Sequence, residues 1–165
     1  MKRITIEIKW ALVFTLMTLA WMFAEKQAGL HDIHIDKHPI YTNLIAIPAI
    51  IIYVFALLNA RKKYYGDTMT YVQGVKTGLI ITAMVTVLSP LSQYVTSTYT
   101  TPHFFENAIN YAVSKGFSTR PDAQAYFNLK SYIIQGLISA PIMGVVTTLI
   151  VAAFTRKSNT QTVIY

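Results

Sequence analysis

The sequence predicts an all-α integral membrane protein: four transmembrane helices, with an amphipathic helix on the outer face between the third and fourth. Three observations predict this. Of 165 residues, 53% are hydrophobic and 13% are charged, about half the charge of a typical soluble domain. Apolar runs long enough to cross a bilayer recur at about 8–27, 41–60, 70–95 and 129–154, about 20 helical residues being needed for ~30 Å of hydrocarbon. The cations, finally, are unevenly distributed between the connections. The chain is read as a single four-helix membrane domain over residues 1–165.

The first run follows "MKRITIEIK", so the N-terminus superficially resembles a secretion signal. Trp21, Met22 and Phe23 stand where a cleavage site needs small residues, which predicts a retained helix. Its uncharged core, Trp10 to Ala24, is 15 residues, roughly 22 Å of helix. Either the bilayer thins there or the helix continues through Glu25 toward Gly29. In the second case Glu25 must face protein rather than lipid. The second run, Tyr41 to Ala60, contains Pro48, expected to bend it. The third opens on "TYVQ", a capping box with Thr70 as N-cap and Gln73 reaching back. The fourth carries Pro141 and stops at "RKSN".

With four spans, both termini and the connection after span two share one side. That side holds nine lysines and arginines against Glu7 and Asp67, a net +7, while the other side balances to zero. The positive-inside rule places the basic side in the cytoplasm. The basic character therefore reports topology and argues against nucleic acid as a partner. The absence of cysteine excludes disulfides and thiolate chemistry.

Lipid is as apolar as leucine, so membrane helices associate through small residues that let backbones approach. Gly74 and Gly78 on span three, and Gly136, Ala140 and Gly144 on span four, form such stripes. They predict contact between these two spans, within one subunit in preference to across a dimer. Gln93 and Gln135, toward the outer ends of the same spans, are expected to share an interhelical hydrogen bond or to line a substrate path.

Residues 100–128 are too long for a plain connection. "TPHFFENAINYAVSKG" has Thr101 as N-cap, Pro102 at the first helical position and Gly116 past the end, which predicts the outer amphipathic helix at about 102–115. Glu106 lies in its first turns, where the helix dipole favours a carboxylate. A further helix from Ser118 or Thr119 is expected to run unbroken into span four, a bent rod of about 35 residues or ~50 Å.

The segments "GLHDIHIDKHPIYTN", "MTYVQGVKTGLIIT", "LSPLSQY", "PHFFENAINYAVSKG", "AQAYFNLKSYIIQ" and "PIMGVVTTLIVAAFTRK" together resemble an uncharacterised membrane family of Bacteroidota, domain of unknown function 4199. The resemblance covers nearly the whole chain. It implies four membrane helices and a bacterial inner-membrane location, and it assigns no activity and no site residues.

The chemistry therefore has to come from "HDIHIDKH", His31 to His38. As a helix, this stretch would place His34 and His38 at i and i+4, a spacing that binds one metal ion. As a strand, it would align Asp32, His34, Asp36 and His38 on one face. His31 and the distant His103 complete the set of candidate ligands, and Glu25 is a nearby carboxylate. Imidazole and carboxylate suit a divalent metal such as zinc. Proton sensing and a plain solvated loop are the competing readings.

No nucleophile elbow, phosphate loop or nucleotide motif appears. The sequence thus favours a non-enzymatic accessory, scaffold or small-molecule-binding protein. The alternatives are a small dimeric transporter or channel, and an outer-face metal-binding protein or metal-dependent enzyme using the His31–His38 loop. Membrane lipids are expected partners, with Arg61, Lys62 and Lys63 facing anionic headgroups. A second copy or another membrane protein is the expected macromolecular partner.

Overall fold

A computed structural model describes residues 4–157. The helices are α1 (Thr5–Gln27), α2 (His38–Tyr41), α3 (Ala46–Tyr64), α4 (Tyr71–Val95), α5 (Phe104–Ser114), α6 (Arg120–Tyr126) and α7 (Leu129–Thr155). A 3-10 stretch, Thr42–Ile45, joins α2 to α3, and a π turn, Thr96–Thr100, extends α4. Four helical segments are long and apolar enough to cross a membrane: Thr5–Gln27, His38–Tyr64, Tyr71–Thr100 and Leu129–Thr155. The protein is a multi-pass helical bundle.

α4 and α7 are the central pair. A Cβ added to Gly78 would lie 2.5 Å from Thr148 Cγ2, and one added to Gly144 would overlap the side chain of Thr82. Gly74 faces Ala152 in the same row. Each helix thus offers glycine where the other offers threonine, so the two backbones approach as closely as side chains permit. The stripe does not close along its full length. Nothing comes nearer than Ser89 Oγ, at 3.8 Å, to a Cβ placed on Gly136. Gly136 and Ala140 line a cavity instead of a contact.

The core occupies the half of the bundle nearest the termini. Ala11, Tyr53, Ala56, Leu57, Ile81, Val151 and Ala152 are buried together with Met69. Within it the Tyr53 hydroxyl and Thr82 Oγ1 share a hydrogen bond of 2.7 Å, and Trp10 Nε1 donates to Asn59 Oδ1 at 3.1 Å. Leu16, Val87, Leu91 and Phe154 stay exposed on the outside, as expected of a surface facing acyl chains rather than water.

Several local features depart from the sequence-based expectation. The Thr70–Gln73 capping box is present at the start of α4, but Thr101 does not cap α5. That helix begins at Phe104 with no side-chain cap, because Thr101 folds back onto the π turn, its amide and hydroxyl both donating to Thr96 O. Helical structure before α3 begins at His38, and Pro48 falls in the first turn of α3, where its missing N–H removes little. The tighter 3-10 turn immediately precedes it. Pro90 lies inside α4; the carbonyl it cannot serve, Thr86 O, accepts from Ser89 Oγ instead. α6 does not run into α7. The chain breaks at Phe127 and Asn128, and Asn128 Oδ1 caps α7 by accepting from Ser131 N. An asparagine N-cap is a start signal that the absence of proline and glycine concealed.

The termini end is stitched by polar contacts. Met69 and Lys157 pair backbone to backbone, Lys157 Nζ reaches Asp67 Oδ2 at 2.6 Å, and Arg61 Nε lies 3.3 Å from Asp67 Oδ1. Arg61 also donates to Thr155 O, near the C-terminal end of α7, where a cation suits the helix dipole.

Gly78→Leu is expected to destabilise the bundle by about 1–3 kcal/mol or more through overpacking, whereas Gly136→Ala should be tolerated; thermal unfolding in detergent micelles compares the two. The Lys157 hydrogen bond, aided by Arg61, holds the Asp67 carboxyl below its ordinary value of 3.8. A depressed carboxyl contributes stability above its unfolded value, and that contribution is lost as pH falls through the folded one. The Asp67–Lys157 junction should therefore loosen only in acid, and Asp67→Asn should remove that acid-dependent step in amide exchange at Met69.

Candidate functional site

The site is built by the end of α1. Trp21 and Glu25 stand four residues apart, hence on one helix face. α1 stops at Gln27, and Gly29 takes φ +73°, the left-handed conformation that glycine accepts without penalty. The amide of Gly29 donates to Lys26 O and that of Leu30 to Glu25 O, the paired bonds of a Schellman motif. The chain is thereby folded back over the last turn of α1, which sets His31 directly above Glu25.

Residues 30–37 are neither helix nor strand but a run of turns, fastened by His34 N to Gly29 O at 2.8 Å and Lys37 N to His34 O at 2.9 Å. His38 then opens α2, with Pro39 in its first turn. The result brings together three groups. Glu25 Oε2 lies 3.1 Å from His31 Nε2 and 3.6 Å from His38 Nε2. Glu25 is 3% exposed and His31 6%, so this is a buried carboxylate facing two imidazoles. Trp21 Nε1 donates to the other carboxylate oxygen, Oε1. A carboxylate at this depth needs such partners, because burial without them costs several kcal/mol.

Phe104 of α5 roofs the pair, its ring centroid 5.1 Å from each imidazole. Asn107 Nδ2 donates to His31 O at 2.9 Å and ties the loop to α5. Phe104 and Phe105 in turn pack edge-on against Tyr132 of α7. α1, the turn loop, α5 and α7 thus all contribute to holding the two histidines.

Beneath the roof lies a cavity of about 190 Å³, reached by His31, His38, Thr42, Gln93, Thr101 and Tyr132 among others. The π turn supplies Thr96 and Ser97 to its wall; such turns often occur at functional positions. A second cavity of about 170 Å³ shares Met22, Gln93, Thr96 and Tyr132 with the first and is lined deeper by Thr15, Thr18 and Ser89. It ends at Phe14, which packs edge-on against Tyr53 of the core.

The other sequence-predicted ligands lie elsewhere. His34, Asp36 and His103 are exposed, and Asp32 accepts from the backbone of Ile33 as a turn former. Neither the His34–His38 pairing nor the strand alignment forms, because the Schellman turn makes His31 and His38 the inward pair. Glu25, His31 and His38 place one ligand atom each within 4.8 Å of one another and are the one such trio among the described residues. Glu106 is exposed on α5. Gln93 and Gln135 do not bond to each other: Gln93 donates to Ser97 and Gln135 to Ser131, each one turn away on its own helical segment. Gln135 also accepts from Tyr126. Trp21, Phe104 and Asn107 were not singled out from the sequence as site residues; the four-residue spacing of Trp21 from Glu25 was the available signal.

A family model described as "Protein of unknown function (DUF4199)" matches residues 9–157. None of the curated proteins and none of the solved structures matches the chain. The match takes in most of the first membrane helix, the other three entire and every residue of the Glu25–His31–His38 cluster, so the chain belongs to the DUF4199 family of proteins of unknown function.

Proposed function

We propose that this protein is a non-enzymatic membrane binding protein whose ligand is a divalent transition metal, zinc being the best fit, held by Glu25, His31 and His38. One observation carries the reading: one ligand atom from each of the three residues lies within 4.8 Å of the other two. Ligand bonds of about 2.0–2.1 Å at tetrahedral angles put neighbouring donors about 3.4 Å apart. The two distances to Glu25 Oε2, 3.1 and 3.6 Å, bracket that value.

The donor set, two imidazoles and a carboxylate, suits zinc. Trp21 orients the carboxylate from behind, as outer partners do in metal sites. Three protein ligands leave a fourth position, and the 190 Å³ cavity beside the imidazoles offers it to water or to a small ligand atom. The lower cavity closes on the Phe14–Tyr53 contact, which supports a binding site rather than a conducting path. The positive-inside rule puts this end of the bundle on the outer side of a bacterial inner membrane, where an exporting or sensing complex would present or receive the metal.

Purified protein, stripped with chelator and reloaded, is expected to retain about one zinc per chain by elemental analysis. Glu25→Gln, His31→Ala and His38→Ala should each weaken retention by at least ~100-fold, and Trp21→Phe by about 10-fold. His34→Ala and His103→Ala should leave it unchanged. Folded wild-type protein that retains no transition metal, or equal loss in the His34 and His103 variants, would refute the assignment.

The Schellman turn provides an independent check that spares every ligand. Gly29→Ala forces a Cβ into the left-handed region and within 2.7 Å of Ile33 Cγ1. It should cost about 1–2 kcal/mol and reduce zinc retention together with amide protection at Leu30.

A further inference from the structure

At the opposite end of the bundle a larger cavity, about 750 Å³, opens between the start of α1, the end of α3 and the start of α4. Each of these helices sends one lysine to it: Lys9, Lys63 and Lys76. Among the described residues none of the three ammonium groups has a carboxylate within ion-pair distance. The one acid in the wall, Glu7, is 4% exposed and accepts from the Tyr64 hydroxyl, which in turn accepts from Ile6 N. Glu7 thus fixes the wall, and the cavity keeps an excess of positive charge. Arg61 is engaged with Asp67 and Thr155 and does not line it.

A second opening lies between α1 and α4. One to two turns farther into the bundle the same two helices form an apolar groove of about 430 Å³, lined by Ile8, Leu12, Ala83, Met84 and Val87 among others. Ile8 adjoins Glu7 and Lys9 of the cavity, and Ala83 lies one turn beyond Ile80, which lines the cavity. A cationic chamber at the membrane boundary and an open hydrocarbon-lined groove nearer the bilayer centre thus lie on the same two helices.

We infer that this cleft is a binding site for one anionic phospholipid, the phosphate among Lys9, Lys63 and Lys76 and an acyl chain along the α1–α4 groove. Basic pockets between transmembrane helices bind anionic headgroups in this way. Lysines that merely extended to the interface would not need to converge from three helices on one chamber, nor would a topology signal require an apolar groove on two of the same helices. A free phosphate ester matches the chamber but leaves the groove unused. The inference is independent of the metal site, which lies at the other end of the bundle.

The test is native mass spectrometry of the full chain released from detergent, with dioleoyl phosphatidylglycerol, dioleoyl phosphatidylcholine or glycerol 3-phosphate added. Wild type is expected to retain one phosphatidylglycerol in preference to phosphatidylcholine. Each of Lys9→Gln, Lys63→Gln and Lys76→Gln should weaken that retention by about fivefold. Lys62→Gln, which removes a neighbouring charge outside the cavity, should not. Ala83→Phe, which fills the groove and leaves the lysines in place, should also release the lipid. Equal retention of both lipids, equal loss in the Lys62 variant, or retention of lipid by the Ala83 variant would each overturn the assignment. Binding of glycerol 3-phosphate as strong as that of the lipid would overturn it in favour of a soluble phosphate ester. Circular dichroism on every variant separates lost binding from lost fold.

Discussion

Close approach of α4 and α7 is the contact on which the rest of the structure rests. In lipid there is no hydrophobic gain from pressing two apolar helices together, so the bundle must be held by dense packing and hydrogen bonds. Here the density comes from reciprocity. Gly78 receives Thr148, and Gly144 receives Thr82. Thr82 then bonds to the hydroxyl of Tyr53 on α3, which draws a third helix onto the pair. α1 is added through Ala11 and through the bond from Trp10 to Asn59. The same pair parts toward the other end, where Gly136 and Ala140 face a void rather than a backbone. The α4–α7 seam is therefore closed at one end and open at the other, and the buried carboxylate and imidazoles sit above the open end.

The two ends solve the same electrostatic problem differently. Each buries a glutamate of α1 near the boundary of the membrane. Glu7 is satisfied by a tyrosine hydroxyl from α3, a neutral donor that leaves the surrounding lysines without a carboxylate partner among the described residues. Glu25 is satisfied by an indole and two imidazoles, groups that also ligate or orient. The contrast in partners, more than depth, separates a chamber suited to anions from a cluster suited to a cation.

Much of the architecture was legible in the amino-acid order. Four apolar runs of sufficient length fix the number of spans, and Thr70 with Gln73 marks the start of α4 without ambiguity. The small-residue stripes name the helices that meet, though not the point at which they separate. The site was harder to read. Periodicity assigns a face only to regular structure, and residues 30–37 are turns; whether His31 or His34 points inward depends on the sign of φ at Gly29. Trp21, Phe104 and Asn107 come from α1 and α5, 76 residues apart in the case of the bond between Asn107 and His31. No local pattern encodes a contact of that range. The break between α6 and α7 is silent in the sequence because Asn128 caps the second helix with no proline or glycine to announce it.

The π turn at Thr96–Thr100 has a consequence for sequence length as well as for sequence identity. Such a turn accommodates one residue more than an α-helical turn. Excising a single residue there would let the turn close into regular α geometry with the chain beyond it nearly in register, whereas the same deletion in the regular part of α4 would swing everything beyond it by about 100° around the axis. In the second case Phe104 would leave its place over the imidazoles, although no residue touching them had changed. The lid of the cluster is thus set by counting, and single-residue deletions in α4 and in the turn are a finer probe of it than substitutions.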